Sequence, residues 1–129
     1  MPRCVLDTCV LIRFWREQGL AACADRRALR SRARELAKFH ASNFIVSPVY
    51  LEMVAGATNS WELSQTRVLL SEFKVLDGWD IRPEDLLEAR RLAERVPANG
   101  RKRHLGDCLI AALAQRFRCR VVTSDLSFR

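Results

Sequence analysis

Asp7, Glu52, Asp107 and Asp125 are the residues of this sequence whose types and settings could do chemistry together. Asp7 directly follows the apolar run Val5-Leu6, and Asp125 stands just beyond Val121-Val122-Thr123. Glu52 falls in the first turns of a helix leaving Phe44-Ile45-Val46, and Asp107 in the first turn of the helix that leads into the last strand. Open parallel sheets build their sites beyond the carboxyl ends of the strands, so these settings can deliver carboxylates to one edge. Carboxylates crowded there repel, and each has a raised pKa unless a cation neutralises it. Hard oxygen ligands suit Mg²⁺ or Mn²⁺ better than zinc. A divalent ion so held can bind phosphate oxygens and lower the pKa of an attacking water. The reaction class this chemistry suggests is phosphodiester hydrolysis, with Arg101, Lys102 and Arg103 nearby to hold flanking phosphates.

Each carboxylate also has a plain structural reading. Asp7 and Asp107 suit a helix N-terminus through capping or the helix dipole. Asp125 suits an Asx turn, and Glu52 a solvated helix face. The set of four in matching settings, rather than any one of them, points to a site.

The elements that must position these residues are legible along the chain. Arg3 to Leu6 reads as a first strand, and Thr8 to about Gln18 as a helix with Val10, Leu11, Phe14 and Trp15 at helical spacing and Gly19 as its stop. A second helix runs from Asp25, its cap, to Ala41, with Arg26, Arg30 and Arg34 on one stripe expected to be a solvated face. Phe44 to Val46 is a second strand, and a helix follows from about Pro48 to Ala55, capped by Ser47 and ended by Gly56. Trp61 to Ser71 is expected to be helical, Glu72 to Leu76 a third strand, and Asp77-Gly78 a turn. Pro83 opens a helix to about Val96, stopped by Pro97 and Gly100. A basic loop, Arg101 to His104, feeds a helix with Gly106-Asp107 at its start and Leu109, Ile110, Leu113 and Phe117 on its apolar face; Arg120 to Thr123 is a fourth strand. Short apolar strands alternating with helices predict a three-layer α/β/α sandwich on a parallel sheet.

With 129 residues and no linker or repeat, residues 1–129 are expected to form a single domain with a real core. Apolar residues make up 49% and charged residues 29%, which excludes a disordered chain. No apolar run is long enough for a membrane span, and Asp7 interrupts what would be a signal peptide's apolar region, so a cytoplasmic location is expected. The five scattered cysteines contain no C-x-x-C pair and read as reduced thiols. His104 and Cys108 could share a helix face as zinc ligands, but no second ligand pair completes a site. The net charge is +7, and nearly all the basic residues are arginine, whose forked guanidinium suits phosphate. Such a balance fits nucleic acid, and equally fits solubility or an acidic protein partner.

Four motifs then carry a family resemblance. Val5-Leu6-Asp7-Thr8, Ser47-x-x-x-x-Glu52, Asp107-Cys108-Leu109-Ile110-Ala111-Ala112 and Thr123-Ser124-Asp125-x-x-Phe128 resemble, in order, the acidic motifs of PIN-domain ribonucleases. The order and length are most similar to the VapC-type toxins of toxin–antitoxin pairs, and the resemblance covers essentially the whole chain. It implies that Asp7, Glu52, Asp107 and Asp125 form an acidic quartet binding one or two Mg²⁺ or Mn²⁺ ions, with Thr8 and Thr123 as supporting hydroxyls. It implies endoribonuclease activity leaving 5′-phosphate and 3′-hydroxyl ends, an RNA substrate, silencing by a cognate antitoxin, and a homodimer. Family members often carry Asn or Ser where this chain has Cys9, and usually a fifth strand after the last acidic motif, so a PIN-like sheet of four strands, or five, is expected.

Other functions fit parts of the sequence. Metal-independent cleavage through the 2′-hydroxyl needs paired acid and base groups, for which only His40 and His104 are available. A PIN-like module could hold RNA or a partner without turnover, and a housekeeping RNA-processing nuclease would share the chemistry. A flap-type DNA nuclease would need DNA-binding elements for which the chain has little room.

Overall fold

A computed structural model describes residues 3–95 and 104–123. Strand β1 (Cys4–Leu6) is short and central. Successive strand residues face opposite sides, and both Val5 and Leu6 are fully buried, so both faces of the strand are covered. β1 pairs in parallel with β4 (Arg120–Val122), in the register Val5 opposite Val121 and Leu6 opposite Val122. β2 (Phe44–Ile45) pairs in parallel with β3 (Lys74–Val75). Among the described residues these are two separate ladders. β1 lies against β2, where the Ser42 hydroxyl donates to the Cys4 carbonyl at 2.7 Å and accepts from the Phe44 N–H at 3.2 Å. A side chain thus joins the two pairs.

The α/β order expected from the alternation of elements is present. Helix α1 (Thr8–Glu17) starts where Asp7 leaves β1, and Gly19, at φ 61°, turns the chain after it. A 3-10 turn at Leu20–Ala22 leads to α2 (Arg26–His40), whose first N–H groups, those of Arg27 and Ala28, are capped by Asp25 as expected. α3 (Ser47–Ala55), α4 (Ser60–Leu70), α5 (Pro83–Ala93) and α6 (Leu105–Arg116) follow. The core joins Leu6 and Ile45 of the strands to Leu11, Leu29, Leu69, Ile110 and Leu113 of the helices. α1 packs on α3, α3 on α6, α2 on α4 and α5 on α6, so the helices bearing the candidate acidic residues are neighbours. Among the described residues no helix is long and apolar enough to cross a membrane.

Two local expectations are corrected. Ser47 is the first residue of α3 rather than its cap; Val46 holds the cap position. Ser47 is buried, and both its N–H (2.8 Å) and its hydroxyl (2.6 Å) donate to the buried carboxylate of Asp77. Asp77, expected only as a turn residue, therefore supplies from β3's end the acceptor that α3 lacks at its own. The third strand is shorter than expected because the N–H groups of Glu72 and Phe73 bond back to the end of α4. The arginine stripe of α2 is exposed, as expected, and two of its members make surface contacts: Arg26 donates to Ser64, and Arg34 makes a forked pair with Glu72. Ser124, Asp125 and Phe128, the proposed fifth strand, the stop at Pro97 and Gly100, and the basic Arg101, Lys102 and Arg103 lie outside the described residues.

Candidate functional site

The ladder between β1 and β4 sets the site. The Asp7 N–H donates to the Val122 carbonyl at 2.9 Å, continuing the pairing one step past Leu6 and bringing Asp7 level with Thr123. Asp7 is 2% exposed and uses its two oxygens differently. Oδ1 accepts the Thr8 N–H at 2.8 Å, which caps α1. Oδ2 accepts from the Thr123 hydroxyl at 2.9 Å and from the Cys9 thiol at 3.1 Å. Cys9 Sγ and Thr123 Oγ1 also contact each other at 2.7 Å, so two side chains, one from α1 and one from just past β4, close on one carboxylate oxygen. The capping reading and the site reading of Asp7 are both true of the same side chain. Cys9 stands where the resemblance expects Asn or Ser, and its thiol donates to Asp7 Oδ2.

Glu52 comes from α3, across the α1–α3 contact, and its Oε1 accepts from the Thr8 hydroxyl at 3.2 Å. As a whole residue Glu52 is exposed, but its carboxylate end is crowded. A Cβ placed on Gly106 would stand 2.9 Å from Glu52 Oε1. Glycine is a poor helix former, and its presence in the first turn of α6 is explained by this approach. Loss of water raises the Glu52 pKa above its ordinary value. The Thr8 hydrogen bond opposes the rise, the negative charges of Asp7 and Asp107 add to it, and His104 acts weakly against it. Carboxylates from β1's end, from α3 and from α6 therefore share one electrostatic neighbourhood.

Asp107 lies in the first turn of α6, as expected, where the helix dipole favours its charge. Thr8 and Thr123, expected as supporting hydroxyls, bond Glu52 and Asp7 respectively. Among the described residues no three of His, Cys, Asp and Glu are gathered closely enough to hold a metal ion, and Asp125 is outside them. Cys108 is buried against Ala89 and Ala112 of the α5–α6 packing. What sequence reasoning missed is the role of Gly106 beside Glu52 and the contact between Cys9 and Thr123. A glycine in the first turn of an apolar helix was the available signal for the first; the second depends on a parallel register that spacing does not reveal.

The sequence matches the PIN domain family over residues 4–129. It is 31% identical over 130 aligned positions to a Mycobacterium bovis protein named VapC ribonuclease Mb1587, covering 96% of this chain and 87% of that protein. The same identity and coverage relate it to Ribonuclease VapC11 of Mycobacterium tuberculosis. A parallel α/β fold, acidic side chains at the ends of its strands and helices, and a match running from Cys4 to the last residue agree: the chain belongs to the PIN-domain family.

Proposed function

We propose that this protein is a metal-dependent endoribonuclease that hydrolyses RNA phosphodiester bonds, and that it is the toxin of a toxin–antitoxin pair. The observation that carries the reading is the tie between two acidic positions from separate segments: the Thr8 N–H donates to Asp7 Oδ1 at 2.8 Å and the Thr8 hydroxyl to Glu52 Oε1 at 3.2 Å. Such a donor set consists only of hard oxygens and gains most from a hard divalent cation, so the residues fit Mg²⁺ or Mn²⁺. Asp7, Glu52, Asp107 and Asp125 would hold one or two such ions. A bound ion would supply charge for the phosphate oxygens and make a water easier to deprotonate.

The chain's own residues do the positioning. Asp7 is held rigid by the Thr8 N–H, the Thr123 hydroxyl and the Cys9 thiol, so its carboxylate offers a fixed direction rather than a swinging one. Thr8 ties Glu52 to the same edge. The arginine-rich surface and the +7 charge favour a polyanionic substrate, with Arg101, Lys102 and Arg103 assigned to its phosphates. Attack by water leaves a 5′-phosphate and a 3′-hydroxyl. The names of the mycobacterial relatives support the VapC-type ribonuclease assignment; a cognate antitoxin, a homodimer and a cytoplasmic site of action belong to the proposal.

The test is cleavage of a mixed RNA pool by purified protein with Mn²⁺ or Mg²⁺, with EDTA, and with the Asp7→Asn variant. Cleavage is expected only in the first case, with 3′-hydroxyl ends. Cleavage that survives both EDTA and the substitution, or cyclic phosphate ends, would overturn the reading.

A further inference from the structure

A cavity opens beside Glu52, between α1, α3 and α4. Its volume is about 190 Å³. Ile12, Trp15 and Met53 give it apolar walls, and Arg16, Glu52 and Glu62 its charged groups. The space is smaller than the sites that take drug-sized ligands, and suits a single planar ring system. Glu52 lines this cavity and also accepts from Thr8 beside Asp7, so the cavity adjoins the acidic edge.

We propose that this cavity receives one unstacked nucleobase of the RNA, adjacent to the scissile phosphate, and that Glu62 selects guanine there. The inference rests on the ribonuclease reading and adds a specificity determinant to it. The Trp15 indole and the Ile12 and Met53 side chains offer an apolar surface to a base pulled from its stack, the way single-stranded RNA is read. Glu62 sits in the first turn of α4, where the Asn59 side chain caps its N–H at 2.8 Å. Its Oε2 accepts from the Thr58 hydroxyl at 2.8 Å, and among the described residues its Oε1 accepts no hydrogen bond. An ionised carboxylate only accepts, so it favours a base edge that presents N–H donors. Guanine presents an imino and an amino N–H side by side, which a carboxylate can meet with two parallel bonds. Adenine and cytosine offer an amino group alone, and uracil a single imino N–H. Arg16, whose guanidinium makes no ion pair among the described residues, stands at the same cavity to meet the backbone phosphate.

The experiment has two arms. In the first, short single-stranded RNAs differing only in the base beside the cleavage position are digested with Mn²⁺ by wild type, Glu62→Gln and Trp15→Leu. The expected wild-type preference for guanine over uracil is roughly tenfold, the scale of one bidentate base contact, and Glu62→Gln is expected to abolish it. In the second arm the indole N–H signal of Trp15 is followed by NMR during titration with GMP and, separately, UMP, without metal. GMP is expected to shift it at lower concentration than UMP, and Glu62→Gln to remove the difference. Cleavage without base preference together with equal responses to GMP and UMP overturns the cavity proposal and leaves the nuclease reading standing. A selective GMP response from a protein that cuts no RNA overturns the nuclease reading and keeps the cavity. Trp15→Leu guards against a preference arising elsewhere, because it is expected to weaken cleavage at guanine while a guanine preference unchanged in both variants would sink the assignment.

Discussion

The Thr8 hydroxyl donates to Glu52 Oε1 across 3.2 Å, joining the first residue of α1 to the middle of α3. Thr8 is 6% exposed, and its backbone N–H is already committed to the neighbouring Asp7 carboxylate. One residue therefore orients two of the candidate acidic groups, one through its main chain and one through its side chain. Replacing Thr8 with Val keeps the backbone bond and the approximate shape while removing the hydroxyl. We expect the Thr8→Val protein to stay folded and to lose roughly tenfold in kcat/KM, the cost of one hydrogen bond to a charged group. Steady-state cleavage of a fixed RNA, with a melting curve of the same sample, checks this; unaltered cleavage would show that Glu52 needs no tether.

Asp7→Asn separates the two functions of Asp7. Asn caps a helix about as well as Asp, so the Thr8 N–H keeps its acceptor and the variant is expected within about 1 kcal/mol of wild-type stability. The negative charge is gone, and with it the strongest reason for a cation to bind at this edge. Cleavage is expected to fall on the order of 10²-fold or more, the scale seen when a transition-state charge stabiliser is removed. Wild type should also be stabilised by Mn²⁺ through binding linkage, by about 2.7 kcal/mol at a hundred times Kd, and Asp7→Asn by far less. Denaturant titrations of both proteins with and without Mn²⁺ decide the matter. Equal stabilisation of the two would remove Asp7 from the metal site.

The Thr8 and Asp7 cases show which parts of the molecule were legible in the sequence. The strand, the cap and the helix at Val5 to Ile12 are local features, written in apolar runs and a capping carboxylate, and they were found with near-correct bounds. The candidate acidic residues at Asp7, Glu52 and Asp107 were legible for the same reason, since each follows a local signal and the family motifs gave their order. What was hidden is non-local. That Thr123 closes on Asp7 depends on which strand lies beside β1, and nothing in the spacing of residues 116 positions apart states it. Ser47 looked like a cap because Ser before Pro at a helix start is the common pattern. A buried carboxylate 30 residues away took its hydrogen bonds instead. Gly106 could be noticed as unusual but not explained until Glu52 was found above it.

That buried pair supports a stability prediction. Asp77 is 5% exposed and Ser47 1%, and the carboxylate accepts both of Ser47's donors. Asp77→Ala leaves an N–H and a hydroxyl buried without partners at the start of the helix that carries Glu52. The expected loss is about 3 kcal/mol, from two unsatisfied groups and a lost cap-like acceptor. Asp77→Asn retains one acceptor and is expected to cost about 1 kcal/mol. Urea unfolding of the two variants should give that order; equal losses would mean the charge, not the hydrogen bonds, matters here.

His40, the last residue of α2, gives a pH dependence whose sign can be worked out. Partial burial lowers its pKa below the ordinary histidine value, although the helix C-terminus alone would favour the cation. Its ring meets Phe39 edge-on with centroids 4.9 Å apart, a contact that provides no anion to hold a proton. In the unfolded chain His40 titrates near about 6.5. As pH falls through that value the unfolded state takes up the proton first, so the folded state loses stability in that range. The loss continues until the lowered folded pKa is passed, and above about pH 7.5 both states are neutral and His40 contributes no slope. His40→Gln removes the titration and keeps a polar side chain of similar reach. Wild type is therefore expected to lose more stability than His40→Gln between about pH 7.5 and pH 5.5, the carboxylates contributing equally to both. Urea midpoints at the two pH values measure the difference, and parallel losses in the two proteins would show that burial does not depress His40.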